Sequence, residues 1–175
     1  MKTKPPTKTA IKGKAKKVVA ASTSVPAEEQ LAGFIDKFES KNAALIRSVR
    51  KALRKLMPTA NELVYDNYNF FVIGYCPTER PSDCIVSIAA AANGVGLSFY
   101  YGSSIPDPRG LLLGEGSQNR FLRLESAAIL AQPAVEALIA AAIAHGKNPL
   151  PESGKGKLII RSISKKQRPR RKPSE

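Results

Sequence analysis

One histidine, His145, stands in a chain of 175 residues, and that scarcity removes most familiar site chemistry. No Ser-His-Asp or Cys-His constellation assembles without it. Structural zinc wants four nitrogen or sulfur ligands, and one histidine with two cysteines falls short. Cys76 and Cys84 are too few for a disulfide framework. They flank a turn and read as small core residues, neighbours across a hairpin. A core of this size needs no staples, so the expected compartment is the reducing cytoplasm. No Gly-x-Ser-x-Gly occurs, and Gly154-Lys155-Gly156-Lys157 lacks the hydroxyl that completes a Walker sequence. Carboxylates are thinly spread. Glu28, Glu29, Asp36 and Glu39 span three helical turns, too sparse for an oxygen-ligated iron or calcium cluster. Long apolar runs are missing too. Val18-Val19-Ala20-Ala21 is too short for a signal peptide's apolar region. The longest apolar stretch, near residues 134–144, carries Glu136 and falls short of a bilayer span. No repeat is visible at solenoid periods. The expected class is therefore non-enzymatic, with no metal, no cofactor and no membrane partner. An enzyme would have to be built from Asp66, Asp107 and an arginine.

What the chain does have is charge, unevenly placed. The formal net charge is +14. Residues 1–24 hold seven lysines and no acid, and residues 151–175 hold nine Lys/Arg against two acids. The twelve basic and twelve acidic residues between them cancel, so all of the excess sits at the ends. The expected organisation is a disordered Lys-rich tail over 1–24, a domain over 25–164 and a basic C-terminal tail over 165–175. Such tails either solubilise or adhere to phosphates non-specifically. The residues implied in nucleic-acid contact are Lys12, Lys14, Lys16, Lys17, Arg168, Arg170, Arg171 and Lys172.

Hydrophobic residues make up 43% of the chain, enough for a real core. Pro26 and the acids Glu28 and Glu29 suit a helix start, and Leu31, Phe34, Ile35 and Phe38 share one face of a helix over 27–39. A second helix is expected over 42–57, with Leu45, Ile46, Val49, Leu53 and Leu56 inward. Its other face carries Arg47, Arg50, Lys51, Arg54 and Lys55, a solvated stripe partly neutralised by Asp36 and Glu39. Strands are expected over 62–68, 70–76, 84–92 and 95–101, the last two joined at Asn93-Gly94. A fifth strand, over 120–124, has Leu122 and Leu124 on one face. A helix over 133–145 begins at Pro133 and stops at Gly146, and a last strand lies over 157–164. Consecutive hairpins predict an α+β domain, an antiparallel sheet of five to six strands with helices packed on one face.

The distinctive stretch is the crossing between the fourth and fifth strands, long and rich in glycine and proline. Gly114 and Gly116 with Ser117 have the composition of a backbone anion nest, and Arg109, Arg120 and Arg123 would supply guanidiniums for a phosphate or carboxylate. The plainer reading stands beside it. The glycines supply turns, Asp107 pairs with Arg109 or Arg120, and Leu111, Leu112 and Leu113 plug the core.

The same stretch carries a family resemblance. Residues 97–123 hold Phe-x-x-Gly, Asp107-Pro108, Leu112-Leu113-Gly114-x-Gly116 and Arg120-x-x-Arg123. With Asn67-Tyr68-Asn69, the residues from Thr78 to Asp83, and the ending from Leu158 to Arg171, this resembles the YdhG-like domain family. That is a bacterial family of unknown function with a frataxin-like fold. The resemblance covers residues 27–171. It implies helices on one side of an antiparallel sheet, and in one branch of the family an association with iron delivery. The acidic ridge that frataxin-like iron binding relies on is not visible here. Asp66-Asn67-Tyr68-Asn69 also replaces the family's usual Gly-Met-Pro-Thr, so any groove lined by that turn differs. The expected function is a cytoplasmic binding or scaffold domain, monomeric or weakly dimeric, with unknown partner. The alternatives are nucleic-acid association through the tails and an iron chaperone.

Overall fold

The computed structural model describes residues 25–173. The lysines at 12, 14, 16 and 17, and the disorder expected of residues 1–24, lie outside them.

Helix α1 (Ala27–Ile35) buries Leu31, Phe34 and Ile35. It ends four residues earlier than its apolar pattern predicts. A turn over 36–39 carries Phe38 into the core, held by its N–H on the Ile35 carbonyl at 3.1 Å. Helix α2 (Ser40–Leu56) buries Ala43, Ile46, Val49 and Leu53. Leu56, expected inward, is exposed, and Met57 fills that place at the helix end. Strands β1 (Asn61–Asp66), β2 (Phe71–Cys76), β3 (Val86–Ala91), β4 (Gly94–Phe99) and β5 (Arg120–Leu124) follow as antiparallel neighbours. Helix α3 (Pro133–His145) begins at proline and packs Val135, Leu138, Ile139 and Ala142. Strand β6 (Leu158–Ile163) ends the regular structure.

The sheet is mixed, which corrects the antiparallel expectation. Its order is β5-β4-β3-β2-β1-β6, and β6 lies parallel to β1. The reason is the crossover. A chain leaving β5 at one edge passes through α3 on the helical layer and enters at the far edge, and parallel pairs require a connection of that kind.

One core joins the layers. Phe71, Ile73 and Tyr75 of β2, Val86, Ile88 and Ala90 of β3, and Val95, Leu97 and Phe99 of β4 meet the apolar faces of all three helices. Alternation then sends Val72, Gly74, Ser87, Ala89, Ala91, Gly96, Ser98, Phe121 and Arg123 to the other side. The helices leave that side open.

Candidate functional site

The crossing does not assemble the anion site its composition predicts. Arg120 turns its guanidinium back on the loop, donating to the Gly116 carbonyl and to the Asn119 carbonyl at 2.9 Å. The Ser117 carbonyl accepts from the Ser103 hydroxyl at 2.8 Å. Carbonyl oxygens, not N–H groups, converge here, and the arginine satisfies them. Gly114, with φ of 106°, occupies a left-handed position that a side chain would strain. Gly102 is needed for another reason, since a Cβ there would lie 2.5 Å from the Arg120 Cβ. Asp107 pairs with neither arginine. Its carboxylate accepts the N–H groups of Leu111 and Leu112 at 3.0 and 2.8 Å. Leu111 and Leu112 pack on the core, whereas Leu113 is exposed and bridges to Phe121. The three arginines go to three places: Arg120 into the loop, Arg109 to a cleft beside Pro133 and Leu138, and Arg123 to the open face of the sheet opposite Gly96.

The C-terminal basic residues also differ from a free tail. Arg170 is 4% exposed, so it is withdrawn from any phosphate partner. Its guanidinium reaches the Asp66 carboxylate at 3.0 Å and the carbonyls of Asn67 and Asn69. Asp66 is wholly buried and is also paired with Lys37 at 2.6 Å. Arg171 donates to the carbonyls of Asp36, Lys37 and Phe38, closing the end of α1 in the way a cation suits a helix C-terminus. The Lys172 backbone N–H binds Glu39 at 3.2 Å. Arg168 remains exposed, its guanidinium 5.6 Å from the Tyr68 ring centre.

Sequence reasoning missed a second inward carboxylate. Glu62 faces the helices from β1 and takes Arg50 at 2.6 Å and the Tyr75 hydroxyl at 3.1 Å. Arg50 also forks onto Glu28 at 2.8 and 2.9 Å. The Arg50 hydrogen bond holds Glu28 below the usual carboxylate range. Burial, and then the Glu62 charge, push the Tyr75 hydroxyl well up. The available signal was the alternation Glu62, Val64, Asp66, two carboxylates in register with an inward apolar residue. The α2 stripe is neutralised mainly by these contacts. Of the two expected partners, Asp36 does pair, with Arg47, whereas Glu39 turns to Lys172.

Cys76 and Cys84 are free and buried, in a small cluster with Leu63, beneath Tyr65, Tyr100 and Ile159. Contact with the Cys84 thiol and burial push the Cys76 thiol up. Among the described residues, no group of three or more His, Cys, Asp or Glu could hold a metal ion. Asp66 and Asp107 are each engaged elsewhere, Asp66 by Lys37 and Arg170 and Asp107 by the Leu111 and Leu112 N–H groups.

The open face holds an apolar trough. Ala89, Ala91, Gly94, Gly96 and Ser98 floor a trough of about 600 Å³ over β3 and β4. Phe70 and Val72 form one wall, and Phe121 and Arg123 the other. Central strands ordinarily carry β-branched residues, and small ones here keep the backbone accessible. Glycine inside a strand often marks a bulge or a close approach, and the β3–β4–β5 register at Gly96 contains no bulge. Arg123 forms no ion pair among the described residues. The Ser98 hydroxyl donates to the Asn119 side-chain oxygen Oδ1 at 2.6 Å, which leaves the Asn119 side-chain N–H groups as donors at the rim. The trough can take a flat or extended apolar group, with Arg123 and Glu125 as the charged groups on its lining.

No protein-family profile, curated protein or solved structure matches this chain.

Proposed function

We propose that this chain is a non-enzymatic binding domain of the YdhG-like, frataxin-like type, acting in the cytoplasm through the open face of its sheet. The observation that carries the reading is the trough: small residues on β3 and β4, aromatic walls and an arginine with no ion pair among the described residues. Concave, mostly apolar surfaces with a few polar groups are where ligands bind. The α+β sandwich, with helices on one layer, fits the family resemblance. The two free thiols fit a reducing compartment. Among the described residues, no helix is long and apolar enough to cross a membrane.

The test is an NMR titration of isotope-labelled protein with cell extract, followed by Ala89→Phe, which fills the trough from its floor without touching the core. Amide shifts confined to residues 70–72, 89–98 and 119–125, and lost in Ala89→Phe, are the expected result. Shifts on the helical layer, or none at all, would refute the reading.

A further inference from the structure

The trough opens at Phe70 onto a corner of different composition. Three of the exposed large apolar side chains gather there: Tyr68 and Phe70 on the β1–β2 turn, each about half exposed, and Ile163 at the end of β6. Asn67 and Asn69 alternate with the two aromatic residues along that turn, all four exposed. The chain leaving β6 runs past it, with the Ser164 N–H on the Asp66 carbonyl at 2.9 Å and the Arg168 N–H on the Tyr68 carbonyl at 2.9 Å. Residues 158–173 contain seven Lys/Arg and no acid. The buried Arg170 anchors this segment on Asp66, and Lys165, Lys166 and Arg168 stay exposed on the corner. Asp66, the carboxylate of the turn, is sealed beneath by Lys37 and Arg170. The surface is thus aromatic, amide-bearing and cationic, and it is held in place by an internal ion pair.

We infer that this corner binds single-stranded nucleic acid, with bases stacked on Tyr68 and Phe70 toward the trough and phosphates on Lys165, Lys166 and Arg168. The assignment rests on the open-face reading and names its partner. Unstacked bases present π-faces that aromatic side chains accept without sequence readout, and the Arg168 guanidinium lies over one face of the Tyr68 ring, leaving the other face for a base. The amides of Asn67 and Asn69 match the donor and acceptor edges of bases. The Asn67 side-chain oxygen Oδ1 accepts from the Ser162 hydroxyl at 3.0 Å, which leaves its side-chain N–H groups as donors. A duplex hides the base faces, so it gains only the charge contacts. A second copy would bring like charges together. A lipid surface would favour a continuous apolar face, and here amides interrupt the aromatics.

The test is fluorescence anisotropy of the full chain with a labelled oligothymidine of about 15 nucleotides, a duplex of equal length, and phosphatidylserine-containing vesicles. The single strand binds more tightly than the duplex. Tyr68→Ala and Phe70→Ala each weaken it by about tenfold, at unchanged thermal stability because both side chains are exposed. Lys165→Gln with Lys166→Gln lowers the salt slope by about 1.4, the release expected from two single-strand phosphates. A chain carrying Lys12→Gln, Lys14→Gln, Lys16→Gln and Lys17→Gln retains both the strand preference and the response to Tyr68→Ala. Equal affinity for duplex with no response to the aromatic substitutions would overturn the assignment, as would vesicle binding without oligonucleotide binding. If the oligonucleotide fails while extract still shifts the trough and Ala89→Phe abolishes those shifts, the assignment falls and the binding-domain reading stands. If both are silent, both fall.

Discussion

Two inward carboxylates, Glu62 at 4% exposure and Asp66 at none, set the residue-scale energetics. Burying a carboxylate costs several kcal/mol unless charge and hydrogen bonds offset it. Glu62 is compensated by Arg50 and Tyr75, and Asp66 by Lys37 and Arg170. Removing one partner leaves the charge stranded. Arg50→Ala should therefore destabilise the fold by about 3 kcal/mol, read from urea unfolding, because it strips Glu62 of its closest cation. Glu28, on the exposed rim of the same cluster, provides the contrast. Its folded pKa is depressed by Arg50, so its contribution is present above the ordinary carboxylate value of 4.5 and disappears as pH falls through the folded value. Glu28→Gln should remove that contribution at neutral pH, a loss of under about 1 kcal/mol because solvent screens the pair, and leave stability below the folded value unchanged, so the acid limb flattens slightly. A large neutral-pH loss in Glu28→Gln, or none in Arg50→Ala, would contradict this division.

At the scale of elements, the C-terminal segment is the clearest departure from composition. A run of Lys and Arg with no acid has the signature of a solvated tail. Yet Arg170 enters the protein beneath the β1–β2 turn, and Arg171 closes the carbonyl end of α1. Deleting residues 165–175 removes both contacts and should cost about 3–5 kcal/mol in urea unfolding, whereas loss of a free tail would cost almost nothing. The crossing shows the converse. Its glycines and arginines have the composition of a ligand loop, but Arg120 and Asp107 satisfy the loop's own carbonyl and N–H groups. Helices, hairpins and the last strand were legible because each repeats an apolar residue at a local period. The partners of Arg120, Asp107 and Arg170 were not, because a charged residue carries no mark of what it will face.

At the scale of the whole molecule, the main core lies between one helical layer and one side of a six-stranded sheet. Strands β2 and β3 lie at the middle of the sheet, with two strands on either side of the pair, whereas β5 and β6 end it. Native-state hydrogen exchange should be slowest in β2 and β3 and faster in β5 and β6, since sub-global opening starts where fewest contacts break. Uniform protection across all six strands would contradict that ordering. By itself, the amino-acid sequence determined the number and order of helices and strands, the inward faces of most of them and the two-layer class, all consequences of local periodicity and of proline, glycine and asparagine at the breaks. Only the tertiary structure decided that β6 lies parallel to β1, that Asp66 meets Arg170 across 104 positions of chain, and that small residues of β3 and β4 form one open trough. Those outcomes depend on which distant segments share the core, and burial makes that choice for the whole chain at once.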